Sequence, residues 1–250
     1  MSATSRHRRR PHRRPRRRTS LSPSPAPDIA LAPSIGGRVL GGFGASILGG
    51  AALGIAAWWT DQLGFPWTGF IPTNTIGAWL GLAFILGASA RTIPTGALRG
   101  LIGVLSAIGA YYLLNRVFGE GYRAIGASHA ATVWGAVAVI AGPVLGSAGA
   151  TWRHGRGRPR AIAVAILAAS LIAEGLVFGA ARWAHLDQIH TDPGAVLLAV
   201  EVGLGLALPW LLLGRGERRW GYLAVALLGV VAVVAIGPLD SLLRALADRF

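Results

Sequence analysis

Seven stretches of this chain are apolar enough, and most are long enough, to cross a bilayer: Val39–Trp59, Asn74–Ala90, Gly100–Phe118, His129–Trp152, Ala161–Trp183, Gly194–Leu213 and Gly221–Leu239. A spanning helix needs about 20 apolar residues at about 1.5 Å of rise each, and the hydrocarbon offers no water to an unpaired backbone amide. Together these constraints predict an all-α fold, a polytopic transmembrane bundle of about seven helices. A 53% hydrophobic, 14% charged chain with mean hydropathy +0.53 is also too apolar for an ordinary soluble domain.

The flanks differ from the bundle. Residues 1–34 are Arg-rich and then Pro/Ser-rich, a composition that cannot bury enough apolar surface to repay the entropy of ordering, so a disordered cytoplasmic tail is expected. Residues 35–239 form the transmembrane domain. The last segment, 240–250, places Leu242, Leu243, Leu246 and Phe250 on one helical face and is expected to lie along the membrane surface.

The formal charge of +14 reports topology before partners, because nine of the 24 basic residues lie within Arg6–Arg18. Arg13, Arg14, Arg16, Arg17 and Arg18 fit anionic lipid headgroups, at about 1 kcal/mol for each basic residue near an acidic surface. The bilayer is thus the expected partner, and nucleic acid is not. With the N-terminus inside, the internal loops hold Arg91, Arg99, Arg153, Arg156, Arg158, Arg160, Arg215, Arg218 and Arg219. The external side holds Arg116, Arg123, Arg182, Arg244 and Arg249, so the excess of positive charge inside predicts N-in, C-out. Exclusive use of Arg over Lys, with abundant Ala and Gly, resembles high-GC bacterial coding and suggests the inner membrane of a bacterium.

Two acids interrupt the apolar runs. Glu174 lies nine residues before Trp183, and Glu201 seven residues after Gly194 on the returning helix. Both carboxyls therefore fall about 10 to 14 Å below the same surface. A charge at that depth is costly and must face protein, water or a partner. If the two meet, both cannot stay ionised without compensation, and a proton-relay or cation site results. Otherwise each is satisfied separately by a hydroxyl, water or arginine, Arg182 being a candidate for Glu174.

Other features offer weaker leads. Gly37/Gly41 and Gly50/Gly54 have the four-residue spacing that lets helix backbones approach, within the chain or in a homo-oligomer. Tyr111 and Tyr112 are expected as interfacial anchors, with cavity lining as the alternative. Offset by 55 residues, Trp79, Ala83, Ile85 and Gly87 match Trp134, Ala138, Ile140 and Gly142, a pattern suggesting a parallel internal repeat. The turn AHLDQIHTDP gathers His185, Asp187, His190 and Asp192, which could ligate a divalent metal, although solvation alone also accounts for such a loop.

Catalytic signatures are missing. No H-E-x-x-H is present, Ser147 lacks the upstream glycine of an intramembrane serine protease, and the absence of Cys removes thiolate chemistry. No catalytic residue and no cofactor is assigned. Asn74–Ala90, the Tyr111–Tyr112 pair, AGPVLGSAGATWR from Ala141 and AEGLVF around Glu174 resemble an uncharacterised family of bacterial multi-spanning membrane proteins, a domain of unknown function, over roughly residues 40–215. The resemblance implies a membrane bundle and brings no activity. The sequence thus points first to a non-catalytic structural or interaction protein of the membrane, and second to an ion-coupled carrier using Glu174 and Glu201.

Overall fold

The computed structural model describes residues 35–63, 75–119, 122–176 and 193–247. Seven helices account for nearly all of them: α1 (Ile35–Gln62), α2 (Ile76–Ala88), α3 (Ile93–Phe118), α4 (Tyr122–His154), α5 (Arg158–Glu174), α6 (Pro193–Leu212) and α7 (Arg215–Ala247). No strand occurs among the described residues. Three helical stretches, Gly41–Gln62, Ile93–Phe118 and Ala130–His154, are long and apolar enough to cross a membrane. Ile76–Ala88 and Ala199–Leu212 are apolar but shorter.

The flanks of the bundle are greasy. Leu48, Ile85, Ile140, Leu227 and Val234 are each about two-thirds or more exposed, which in water would be a large unfavourable surface and in lipid is ordinary solvation. The described residues form an all-helical bundle in which three helices are long and apolar enough to span a membrane.

Several boundaries differ from the sequence reading. Thr92 caps α3 by accepting from the Thr95 amide at 3.3 Å, and Pro94 occupies the first turn, so the helix starts at Ile93 and not Gly100. Helix α3 ends at Phe118 as the sequence predicts, whereas α4 begins at Tyr122 and not at His129. Asn115 is buried, and its amide donates to the Tyr111 carbonyl one turn back at 3.1 Å, which satisfies it without a loop. The last helix runs unbroken from Arg215 to Ala247, through the boundary drawn at 239.

Glycines set the helix spacing. A β-carbon at Gly50 would overlap the Gly103 carbonyl, and one at Gly54 the Ala107 carbonyl, so α1 and α3 touch backbone to backbone along the predicted Gly50/Gly54 face. Gly41 has open space instead, and Gly37 lies where only the backbone is described. The same device joins α2, α3 and α4, where Gly87, Gly96 and Gly100 all crowd Gly146. The matched positions of α2 and α4 share environments: Ala83 and Ala138 are buried, Ile85 and Ile140 exposed, and Gly87 and Gly142 packed on backbone.

One end of the bundle is arginine-rich and closed by hydrogen bonds between turns. His154 Nε2 lies 2.7 Å from the Ala90 carbonyl, Trp152 Nε1 donates to the Leu212 carbonyl at 3.4 Å, and Arg160 reaches the same carbonyl at 3.2 Å. Arg160 also pairs with Glu217 at 3.7 Å, and Arg158 stacks over Trp220 at 4.1 Å. Arginines here cap the carbonyl ends of helices, where positive charge is favourable.

Candidate functional site: a buried glutamate pair beside an aromatic cavity

Local packing aims both glutamates inward. Helix α5 starts after Gly157, whose φ of 63° suits glycine, and buries Ala161, Ala163, Ala165, Ala168 and Ala169. These small side chains let its neighbours approach closely. Gly205, one turn beyond Glu201 on the same face of α6, fits so tightly that a β-carbon would lie 2.5 Å from Ile172 and 2.7 Å from the Ala168 carbonyl. That contact turns Glu201 toward α5. On α2, a β-carbon at Gly77 would lie 2.5 Å from Leu171, 3.1 Å from Glu201 Oε1 and 3.3 Å from Glu174 Oε2. The missing side chain of Gly77 is therefore the space in which the two carboxyls meet.

The pair is buried, with Glu174 7% and Glu201 3% exposed, and the carboxyls lie within hydrogen-bonding reach of one another. Their surroundings are unequal. Glu174 Oε1 accepts from the Ile76 amide at 2.6 Å, with the Gly77 amide also directed at the carboxylate, so Glu174 closes the N-terminus of α2. The positive end of a helix is where an anion is best held. Thr75 completes the cap by accepting from the Ala78 amide at 3.3 Å. Glu174 Oε2 and both oxygens of Glu201 have no donor among the described residues. Helix α5 closes immediately after Glu174, where the Gly175 amide donates to the Leu171 and Ile172 carbonyls.

A second feature lies in the same half of the bundle. A cavity of about 410 Å³ opens between α1, α2, α3 and α4, lined by Asp61, Trp79, Tyr111, Tyr112 and Trp134 with aliphatic side chains between them. The Tyr111 hydroxyl donates to Asp61 at 2.5 Å. Tyr111 packs edge-on against Trp79 at 6.1 Å and against Tyr112 at 4.9 Å. Ile76 lines this cavity while its amide holds Glu174, so one residue separates the two features. The glutamates are not among the lining residues.

A family of unknown function, DUF6518, matches residues 36–245. The chain belongs to that family. The match extends beyond the stretch that carries the sequence resemblance, at both ends, and takes in every helix that builds the glutamate pair and the cavity. No curated protein and no solved structure matches the chain. Within this DUF6518 member, function must be read from the site itself.

Of the residues singled out in the sequence, Glu174 and Glu201 come together, and Tyr111 and Tyr112 line a cavity where interfacial anchoring was expected. His185, Asp187, His190, Asp192 and Arg182 lie outside the described residues, as do Arg13, Arg14, Arg16, Arg17 and Arg18. Sequence reasoning missed Asp61, which lies beyond the end drawn for the first span at Trp59 and falls within α1. The available signal was an acid in the last turn of an apolar helix, where the carbonyl ends disfavour it. It also missed the part of Ile76 and Gly77, which act through backbone amides and through an absent side chain.

Proposed function

We propose that this protein is a proton-coupled membrane carrier in which Glu174 and Glu201 form the coupling site. The observation that carries this reading is the juxtaposition of two buried carboxyls, only one of which is held by backbone donors among the described residues. It favours the carrier over the structural role that the sequence ranked first, because a pair kept for packing alone would be satisfied by its neighbours. Among the described residues three carboxylate oxygens lack a donor, fewer than the about six to eight ligands a hard cation takes, whereas a proton needs only the two carboxyls. Seated on Glu201, a proton completes a hydrogen bond to Glu174. Its departure leaves two like charges in a low-dielectric site and favours separation of α6 from α2 and α5.

Purified protein in liposomes under an imposed pH gradient should give proton flux above that of empty vesicles, read with an internal pH dye. Failure to carry protons under any gradient or added cargo would remove the coupling role.

The orientation proposed with this function is N-in and C-out at a bacterial inner membrane, supported by the arginine-rich end described above. Single cysteines are readily introduced into this Cys-free chain. An impermeant thiol reagent added to intact cells should label position 187 and spare positions 156 and 218. Labelling of position 156 from outside would reverse the orientation.

A further inference from the structure

We infer that the groove between α4 and α5 seats one acyl chain of a phospholipid whose anionic headgroup is held by Arg153 and Arg156. The groove has a volume of about 570 Å³ and follows the seam of the two helices from Thr151 and Pro159, beside the turn that joins them, to Pro143 and Ile166. Thr151 and Pro143 are eight residues apart, which at about 1.5 Å of rise each makes the groove about 12 Å long, most of the roughly 15 Å depth of one leaflet. Small side chains create it. Ala148 and Ala163 are buried at its base, while Val144 and Ile162 are about half exposed along its rims. An unfilled groove forfeits dispersion contacts along its whole lining, and a flexible hydrocarbon chain arriving from the surrounding lipid restores them.

The turn end of the groove is positive. Arg153, Arg156 and Arg158 are exposed there, and Arg160 follows on α5. Glu217 takes Arg160 in the one ion pair among the described residues, and Arg158 lies over the Trp220 ring, which leaves Arg153 and Arg156 with neither a carboxylate nor a ring among those residues. Two such guanidiniums above an apolar groove complement a phosphate that carries a hydrocarbon tail, and basic pockets between membrane helices hold anionic headgroups in this way. The Thr151 hydroxyl belongs to the same end of the lining, at the level of the ester oxygens just below a lipid phosphate. A zwitterionic lipid would bring its own cation to the arginines, which makes the charge of the headgroup the discriminating property. A second copy of the chain is a poorer occupant, because a two-fold arrangement would set the same arginines against one another.

The lipid site does not rest on the carrier reading, since neither glutamate lines the groove. Full-length protein, delipidated in detergent, is titrated with dioleoyl phosphatidylglycerol, dioleoyl phosphatidylcholine and glycerol phosphate, and the bound molecules are counted by native mass spectrometry. One phosphatidylglycerol should bind at least about tenfold more tightly than phosphatidylcholine of the same chains, and glycerol phosphate should neither bind nor compete at the same concentrations. Arg153→Gln combined with Arg156→Gln, both at exposed positions where folding is not at stake, should bring phosphatidylglycerol down to the affinity of phosphatidylcholine. Ser147→Leu fills the groove from the α4 side with its charges left in place and should weaken phosphatidylglycerol severalfold, and Ile162→Trp at the exposed rim serves if Ser147→Leu does not fold. Arg116→Gln, in the last turn of α3 at the opposite end of the bundle, should leave binding within about twofold. Equal affinity for the two lipids, unchanged affinity in the double variant or in the groove-filling variant, or full competition by glycerol phosphate would overturn the inference. So would a dimer that persists in the delipidated protein and is lost in the groove-filling variant, since a second copy would then be the occupant.

Discussion

Replacing Gly146 with alanine should destabilise the bundle by about 3 kcal/mol, even though alanine is the better helix former by about 1 kcal/mol. A β-carbon there would overlap the Gly96 carbonyl and lie 3.1 Å from the Gly100 Cα, and both obstacles are backbone of a rigid neighbouring helix. No side chain can swing away, so α3 and α4 must separate and lose contacts along their length. Gly135, on the same helix, has nothing within 4 Å of its added β-carbon, and Gly135→Ala should be neutral or slightly stabilising. Thermal unfolding in detergent separates the two. Equal melting temperatures for the two variants would mean that the close backbone approach does not determine stability.

The second large effect is an asymmetry within the glutamate pair. Glu174→Leu leaves the Ile76 amide without its acceptor in a buried helix terminus and should cost about 2 kcal/mol. Glu174→Gln keeps a carbonyl oxygen for that amide and should stay within about 0.5 kcal/mol of wild type. Glu201 has no donor among the described residues, so Glu201→Leu removes a buried polar group that gains little and should be neutral or stabilising by about 1 kcal/mol. A residue whose removal stabilises the fold is one retained for function. If Glu201→Leu unfolds the protein as readily as Glu174→Leu, the two acids have equivalent structural roles and the assignment of Glu201 as the proton-bearing partner fails.

The reach of the sequence follows from the kind of signal each feature leaves. Long apolar runs in a chain with few charges leave little alternative to a helical membrane bundle, and the depth of Glu174 and Glu201 followed from counting residues. That the two carboxyls meet could not be read, because the space they share is the missing side chain of Gly77, one of 36 glycines in the chain. Gly50 and Gly54 pack as their spacing suggests while Gly41 does not, although the pattern in the sequence is the same. Which GxxxG face is used depends on the neighbour and not on the helix that carries it. Asp61 and Tyr111 are 50 residues apart, and no periodicity links them before α1 and α3 are packed together. Asn115, a polar residue within α3, interrupts no helix because its side chain is satisfied by the Tyr111 carbonyl one turn back.

The proton flux of Glu201→Gln, expressed per folded molecule in sealed liposomes under a fixed pH gradient, tests the central claim most directly. Glutamine preserves the shape of Glu201 and cannot release a proton, so the account predicts a fold at least as stable as wild type with flux reduced to that of empty vesicles. A Glu201→Gln protein that carries protons at the wild-type rate would contradict it.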